Sequence, residues 1–206
     1  MNDADGLQPP SVVAAIGAST AASKFVMASD SKTGSLLRTL AASKPAGAFL
    51  ELGTGTGLSS AWILDGIGRT ASLVTVDNDP VVVAIARQHL EGDPRVAFHV
   101  ADGGEFLQGL EGQSFDFIFA GTWPGKYTHL EQTLALLNPG GLYVIDDMLP
   151  QPNWPADHPP KVAALIGLLE TRSDLRITKL NWSTGIIVCS KLLDTKNREI
   201  EFSEIA

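Results

Sequence analysis

Five acidic positions and three glycines are the residues of this chain whose types and spacing could do chemistry. The stretch AFLELGTGTGLSS, residues 48 to 60, is an apolar run that carries Glu51 and then Gly53, Gly55 and Gly57. An apolar strand that ends in a glycine turn and continues as a helix brings backbone amides up to a ligand with no side chain in the way. A plain tight turn asks for the same bare Gly-x-Gly-x-Gly. The following unit, SLVTVDND, is rich in β-branched residues and ends in Asp77, 20 residues after Gly57. At that distance an acid closing a second strand meets the hydroxyls of a ribose, which favours an adenosine-containing cofactor.

The elements that must position these residues alternate. FLEL is followed by WILDGI, SLVTV by VVVAIARQHL, RVAFHV by EFLQGL, FDFIFA by HLEQTLALL, and GLYVID closes the series. Such alternation specifies an α/β fold with a parallel sheet and helices on both faces. Pro80 stands at a helix start, and Asn138-Pro139-Gly140-Gly141 is expected to stop the fourth helix before the fifth strand. LRITKLN and GIIVCSK are joined by only Trp182-Ser183-Thr184-Gly185, too short for a parallel crossover, so they form an antiparallel hairpin. The prediction is seven strands with a reversed pair at the end. Before that pair, MLPQPNWPADHPP is too rich in proline for regular structure and reads as a long functional loop.

Ligands of an open parallel sheet bind beyond the carboxyl ends of its strands. Those ends fall at Glu51, Asp77, Asp102, Gly121 and the pair Asp146-Asp147, so acids occupy four of the five. That pattern suits a ligand with hydroxyls, amines and a positive centre, and it repels a pyrophosphate. The third glycine of a dinucleotide fingerprint would fall on Leu58. A nicotinamide oxidoreductase is therefore disfavoured.

Composition narrows the rest. The chain has 206 residues, enough for one domain with a full core, and its formal net charge of −8 opposes a general affinity for nucleic acid. Its longest apolar runs are broken by polar residues well short of a membrane span, and MNDADGLQPP lacks the order of a secretory signal. The cytoplasm is the expected location. Cys189, the single cysteine, lies in an apolar run and reads as a small buried hydrophobe.

The residues resemble the class I S-adenosylmethionine-dependent methyltransferases. ELGTGTG is similar to their first motif and VDNDP to their second, and VADGGEFL, FDFIFAG and NPGGLYVIDD are similar to those that follow. Ser29-Asp30, the run from Phe119 to Tyr127 and the VIDD strand end resemble most the small catechol-type and caffeoyl-CoA-type O-methyltransferases. The resemblance implies a single Rossmann-like methyltransferase domain over residues 47–191. A helical segment, 1–46, would cover the site or pair with a second chain to make a homodimer, and a charged tail, 192–206, would follow. It implies that Glu51, Gly53, Thr54, Gly57 and Ser59 surround the methionine part of the cofactor. Asp77 would take the ribose, with Asp102, Gly103 and Trp123 near the adenine. Asp102 reads equally as a helix cap, and Trp123 has a plain alternative as a surface staple.

The resemblance breaks at the acceptor. Catechol-type enzymes hold a divalent cation between an acid closing strand four and a pair closing strand five. The pair is present as Asp146 and Asp147, but the strand-four position is Gly121. Asp116, five residues back along that strand, would lie about 16 Å away. The family's catalytic lysine falls on Pro124, with Lys126 two residues further on. The implied function is methyl transfer to a hydroxyl of a small, phenol-like molecule, with Asp146 and Lys126 at the acceptor. The alternative is a cofactor-binding protein of the same fold with impaired catalysis.

Overall fold

A computed structural model describes residues 2, 3 and 5–193; the end of the tail, 194–206, lies outside the described residues. Seven strands form one sheet: β1 (Ala48–Leu52), β2 (Ser72–Asp77), β3 (Val96–Val100), β4 (Phe115–Ala120), β5 (Leu137–Ile145), β6 (Leu175–Leu180) and β7 (Ile186–Lys191). Their order is β3-β2-β1-β4-β5-β7-β6. The first five strands pair in parallel, and β7 runs antiparallel to both β5 and β6. The order reverses between β1 and β4, the place where an open α/β sheet leaves a crevice for a ligand.

Alternate residues of the central strands feed two cores. Phe49, Phe117, Phe119 and Val144 face one side, packed with residues of α1 (Val13–Ser23), α2 (Ser31–Ala42), α3 (Leu58–Gly66) and α4 (Pro80–Leu90). Leu50, Ile118, Tyr143 and Ile145 face the other, under α5 (Gly103–Gly109), α6 (Leu130–Ala135) and α7 (His158–Glu170). With both faces covered, the central strands read as near-continuous apolar runs. Three helix starts are capped by an acid. Asp30, Asp79 and Asp102 each accept backbone N–H groups of the first turn of α2, α4 and α5.

Two boundaries differ from the sequence reading. Helix α6 already ends at Ala135, and Asn138-Pro139-Gly140-Gly141 lies inside β5 as a bulge. The partner of Phe115 is Leu137 and that of Phe117 is Leu142. Gly140, at φ +76°, supplies the left-handed residue the bulge needs. The proline-rich loop also ends earlier than its composition suggests. His158, Pro159 and Pro160 form the first turn of α7, where a missing N–H leaves no bond unmade.

Candidate active site

A cavity of about 630 Å³ opens at the carboxyl ends of β1, β2, β4 and β5. Its wall brings together Gly53, Asp77, Gly121, Trp123, Lys126 and the pair Asp146-Asp147, residues far apart in the sequence. A narrow annex lined by Thr54 and Ser59 shares Gly53, Gly121 and Asp146 with it.

On the β1–β2 side, the glycine turn is held by the acid of the next strand. Asp77 Oδ2 accepts from Gly55 N at 2.8 Å, and its Oδ1 accepts from Asp79 N at 3.1 Å. Gly53 and Gly55 have φ of +100° and +50°, and a Cβ on Gly53 would come within 3.1 Å of Thr122 Cβ. The turn therefore presents backbone to the cavity. Gly57 does a different job. It stands off the cavity wall at φ +92°, where a Cβ would lie 2.9 Å from Ala86 Cβ, so its lack of a side chain lets α4 pack close.

Glu51, expected beside the cofactor, lies near the end of β1 under the glycine turn. It is fully buried beneath the turn and is absent from the cavity wall. Its Oε2 accepts from Thr75 Oγ1 at 2.7 Å and from the Ser60 hydroxyl, while Oε1 has no partner among the described residues. Burial pushes its carboxyl up to about 7, against the pull of the hydroxyls. Asp102 and Gly103 stand off the wall too. The Asp102 carboxylate is spent on Gly104 N and Glu105 N at 2.8 and 3.0 Å, the helix-cap alternative, and a Cβ on Gly103 would press on Pro124.

The β4–β5 side carries the charge. Lys126 is 3% exposed, and its Nζ lies 3.0 Å from the backbone O of Asp146 and 3.4 Å from Asp146 Oδ1. Burial raises the carboxyl pKa of Asp146, and the lysine charge pulls it back. Asp147, at φ +60°, turns its carboxylate elsewhere. Its Oδ1 accepts from Trp154 Nε1 at 2.8 Å, and its Oδ2 lies 3.6 Å from His158 Nε2. The His158 ring stacks on Trp154 with centroids 4.2 Å apart, and its Nε2 is 2.9 Å from the Tyr127 hydroxyl. Burial lowers the pKa of His158 and raises that of the Tyr127 phenol. Trp123 stands at the rim, 41% exposed, with Lys161 Nζ 4.1 Å from its ring centroid. The segment joining α1 to α2 forms the opposite lip through Phe25, Val26 and Met27.

The chain is similar to known proteins along the segment that carries this site. Residues 50–148, which hold the glycine turn, Asp77 and the Asp146-Asp147 pair, match the family model described as a methyltransferase domain. That stretch is just under half of the chain. A Mycolicibacterium vanbaalenii protein named "Putative O-methyltransferase" is 33% identical over 117 residues, 54% of this chain and 52% of that one. The catechol O-methyltransferase of Mycobacterium tuberculosis is 28% identical over 144 residues, 68% of this chain and 66% of that one. The chain thus spans about half the length of the first of these curated relatives. Among solved structures, the O-methyltransferase TomG of Streptomyces achromogenes, in complex with SAM, superposes with a TM-score of 0.80 at 21% identity. That match covers 93% of this chain and 94% of TomG. An O-methyltransferase from Bacillus cereus in complex with SAH gives 0.80 at 22%, covering 91% and 94%. The shared fold is the Rossmann-like sheet with its reversed terminal strands.

Three residues were not named as site residues from the sequence: Trp154 and His158 on the cavity wall, and Tyr127 behind His158. Trp154 and His158 belong to the segment after β5, where no motif is readable. The available signal was the proline-rich loop itself, read as functional, which carries both Trp154 and His158. The two prolines place His158 at the first turn of α7.

Proposed function

We propose that the chain transfers the methyl group of S-adenosylmethionine to a hydroxyl of a small molecule, as a cytoplasmic enzyme that acts on no nucleic acid. The observation that supports this reading best is a single cavity with two unlike ends. One end is a glycine turn braced by Asp77, suited to an adenosine and an amino acid moiety. The other, formed by Lys126, Asp146 and His158, with Tyr127 behind the histidine, is suited to a hydroxyl. When bound, S-adenosylmethionine supplies an electrophilic methyl on a sulfonium centre.

The residues present fit that cofactor. The exposed backbone of Gly53 and Gly55 would bind its methionine end together with Thr54 and Ser59 of the annex, and the Asp77 carboxylate would accept from its ribose hydroxyls. Trp123 offers an indole at the rim for the adenine. Methyl transfer to oxygen also needs an aligned, deprotonated acceptor. Lys126 Nζ orients the acceptor oxygen, and the neutral imidazole of His158 receives the hydroxyl proton. Tyr127 remains protonated and fixes the ring. Phe25, Val26 and Met27 give the acceptor an apolar lip, which suits an aromatic ring.

The test is transfer of a labelled methyl group from S-adenosylmethionine to a panel of phenols and catechols. A labelled methyl ether is expected. Cofactor binding without labelled product from any hydroxyl would favour the non-catalytic alternative.

A further inference from the structure

The divalent cation implied by the resemblance to catechol-type enzymes does not fit the residues present. Gly121 offers no side chain where the strand-four ligand would stand. Asp147 is committed to Trp154 and His158, and Asp146 to Lys126. Among the described residues, no three His, Cys, Asp or Glu side chains come together in a way that would hold a metal. A hard cation binds six or more oxygens, and these two separated carboxylates are a poor start.

A cation is already built into the place. The loop between β4 and α6 is folded tightly enough to drive Lys126 inward. Gly125, at φ +87°, donates to Thr128 O at 2.7 Å, and its carbonyl accepts from the Tyr143 hydroxyl at 2.5 Å. A Cβ on Gly125 would lie 2.3 Å from Leu52 Cδ1, so the loop packs flush on the sheet. The lysine that follows is buried against Asp146, which supplies the counter-charge a buried ammonium needs. Of its three N–H donors, Asp146 takes two, through its carbonyl and its carboxylate. The third is available to the cavity that Lys126 lines.

Resting on the O-methyltransferase reading above, we propose that the Lys126 ammonium is the cation of the acceptor subsite, binding the acceptor oxygen in place of a divalent metal ion. A fixed positive charge on a buried side chain stabilises an oxyanion far more than the same charge in bulk water. It does so without recruiting an ion from solution. Methyl transfer by this chain is then independent of divalent cations.

The experiment uses manganese(II) as the probe, read by electron paramagnetic resonance on the full chain, with calorimetry of S-adenosylmethionine on the same samples. The wild type is expected to leave the signal of the hydrated ion undiminished, and its turnover of a catechol is expected to be unchanged by a chelator. Lys126→Met is expected to keep its cofactor affinity and lose about 100-fold in turnover, with Lys126→Arg recovering part of it. Combining Lys126→Met with Gly121→Asp should create manganese uptake. Gly121 is outside the left-handed region, and a Cβ there would meet the Phe119 ring at 3.2 Å and Leu52 O only at 3.7 Å. Manganese uptake by the wild type that is lost in Asp146→Asn would overturn the proposal, as would turnover abolished by chelation. Failure of the wild type to bind S-adenosylmethionine would instead defeat the methyltransferase reading.

Discussion

Glu51 on β1 and Thr75 on β2 are register partners in the parallel ladder, and the threonine hydroxyl donates to the Glu51 carboxyl at 2.7 Å beneath the glycine turn. A carboxyl so buried resists ionisation, and this ties the stability of the fold to pH.

The Glu51 carboxyl sits at about 7 in the folded chain against 4.5 ordinarily. Below pH 4.5 the group is protonated in folded and unfolded chains alike and contributes no slope. Between pH 4.5 and about 7 the unfolded chain ionises while the folded one stays protonated, so stability falls as pH rises. The loss is about 3 kcal/mol at most, and above that window it is constant. Glu51→Gln, measured by urea unfolding across this range, should remove the slope. Parallel curves for variant and wild type would show that Glu51 ionises normally.

Asp102→Ala separates a helix cap from a cofactor contact. The carboxylate holds two N–H groups of α5 and stands off the cavity wall. We expect the variant to lose about 1 kcal/mol, or about 3 °C in Tm, with affinity for S-adenosylmethionine unchanged. A loss of affinity that exceeds the loss of stability would bring Asp102 into the adenine subsite.

His158→Gln tests proton acceptance at the acceptor end. Glutamine keeps a hydrogen-bonding group near Tyr127 but cannot take a proton. Single-turnover transfer should slow by about 100-fold while cofactor binding is preserved. An unchanged rate would assign the proton to solvent or to Asp146.

Much of this architecture was legible in the sequence. Alternating apolar runs, Pro80 at a helix start and the four-residue link before GIIVCSK give the seven strands and the reversed pair, because periodicity and loop length are local properties. The cavity's two sides were legible as strand ends. What was not legible depends on which way a side chain turns. Glu51 at a strand end reads as a ligand contact, yet its place in the β1–β2 register points it beneath the turn against Thr75 and Ser60. Lys126 was legible as a residue of the acceptor end, but its burial was not, because it depends on the flush packing of Gly125 on the sheet. His158 enters the site only because two prolines, apparent helix breakers, serve as the first turn of α7.

The central claim is that the turn braced by Asp77 is a pocket for S-adenosylmethionine. Isothermal calorimetry of S-adenosylmethionine on the wild type, Asp77→Asn and Asp77→Ala tests it most directly. The Asn variant is included because the amide oxygen preserves an acceptor for Gly55 N. The account predicts one equivalent bound by the wild type and a loss of about 100-fold in the Ala variant, close to 3 kcal/mol for two hydrogen bonds to a carboxylate. Undiminished affinity in Asp77→Ala, or no binding by the wild type, would contradict it.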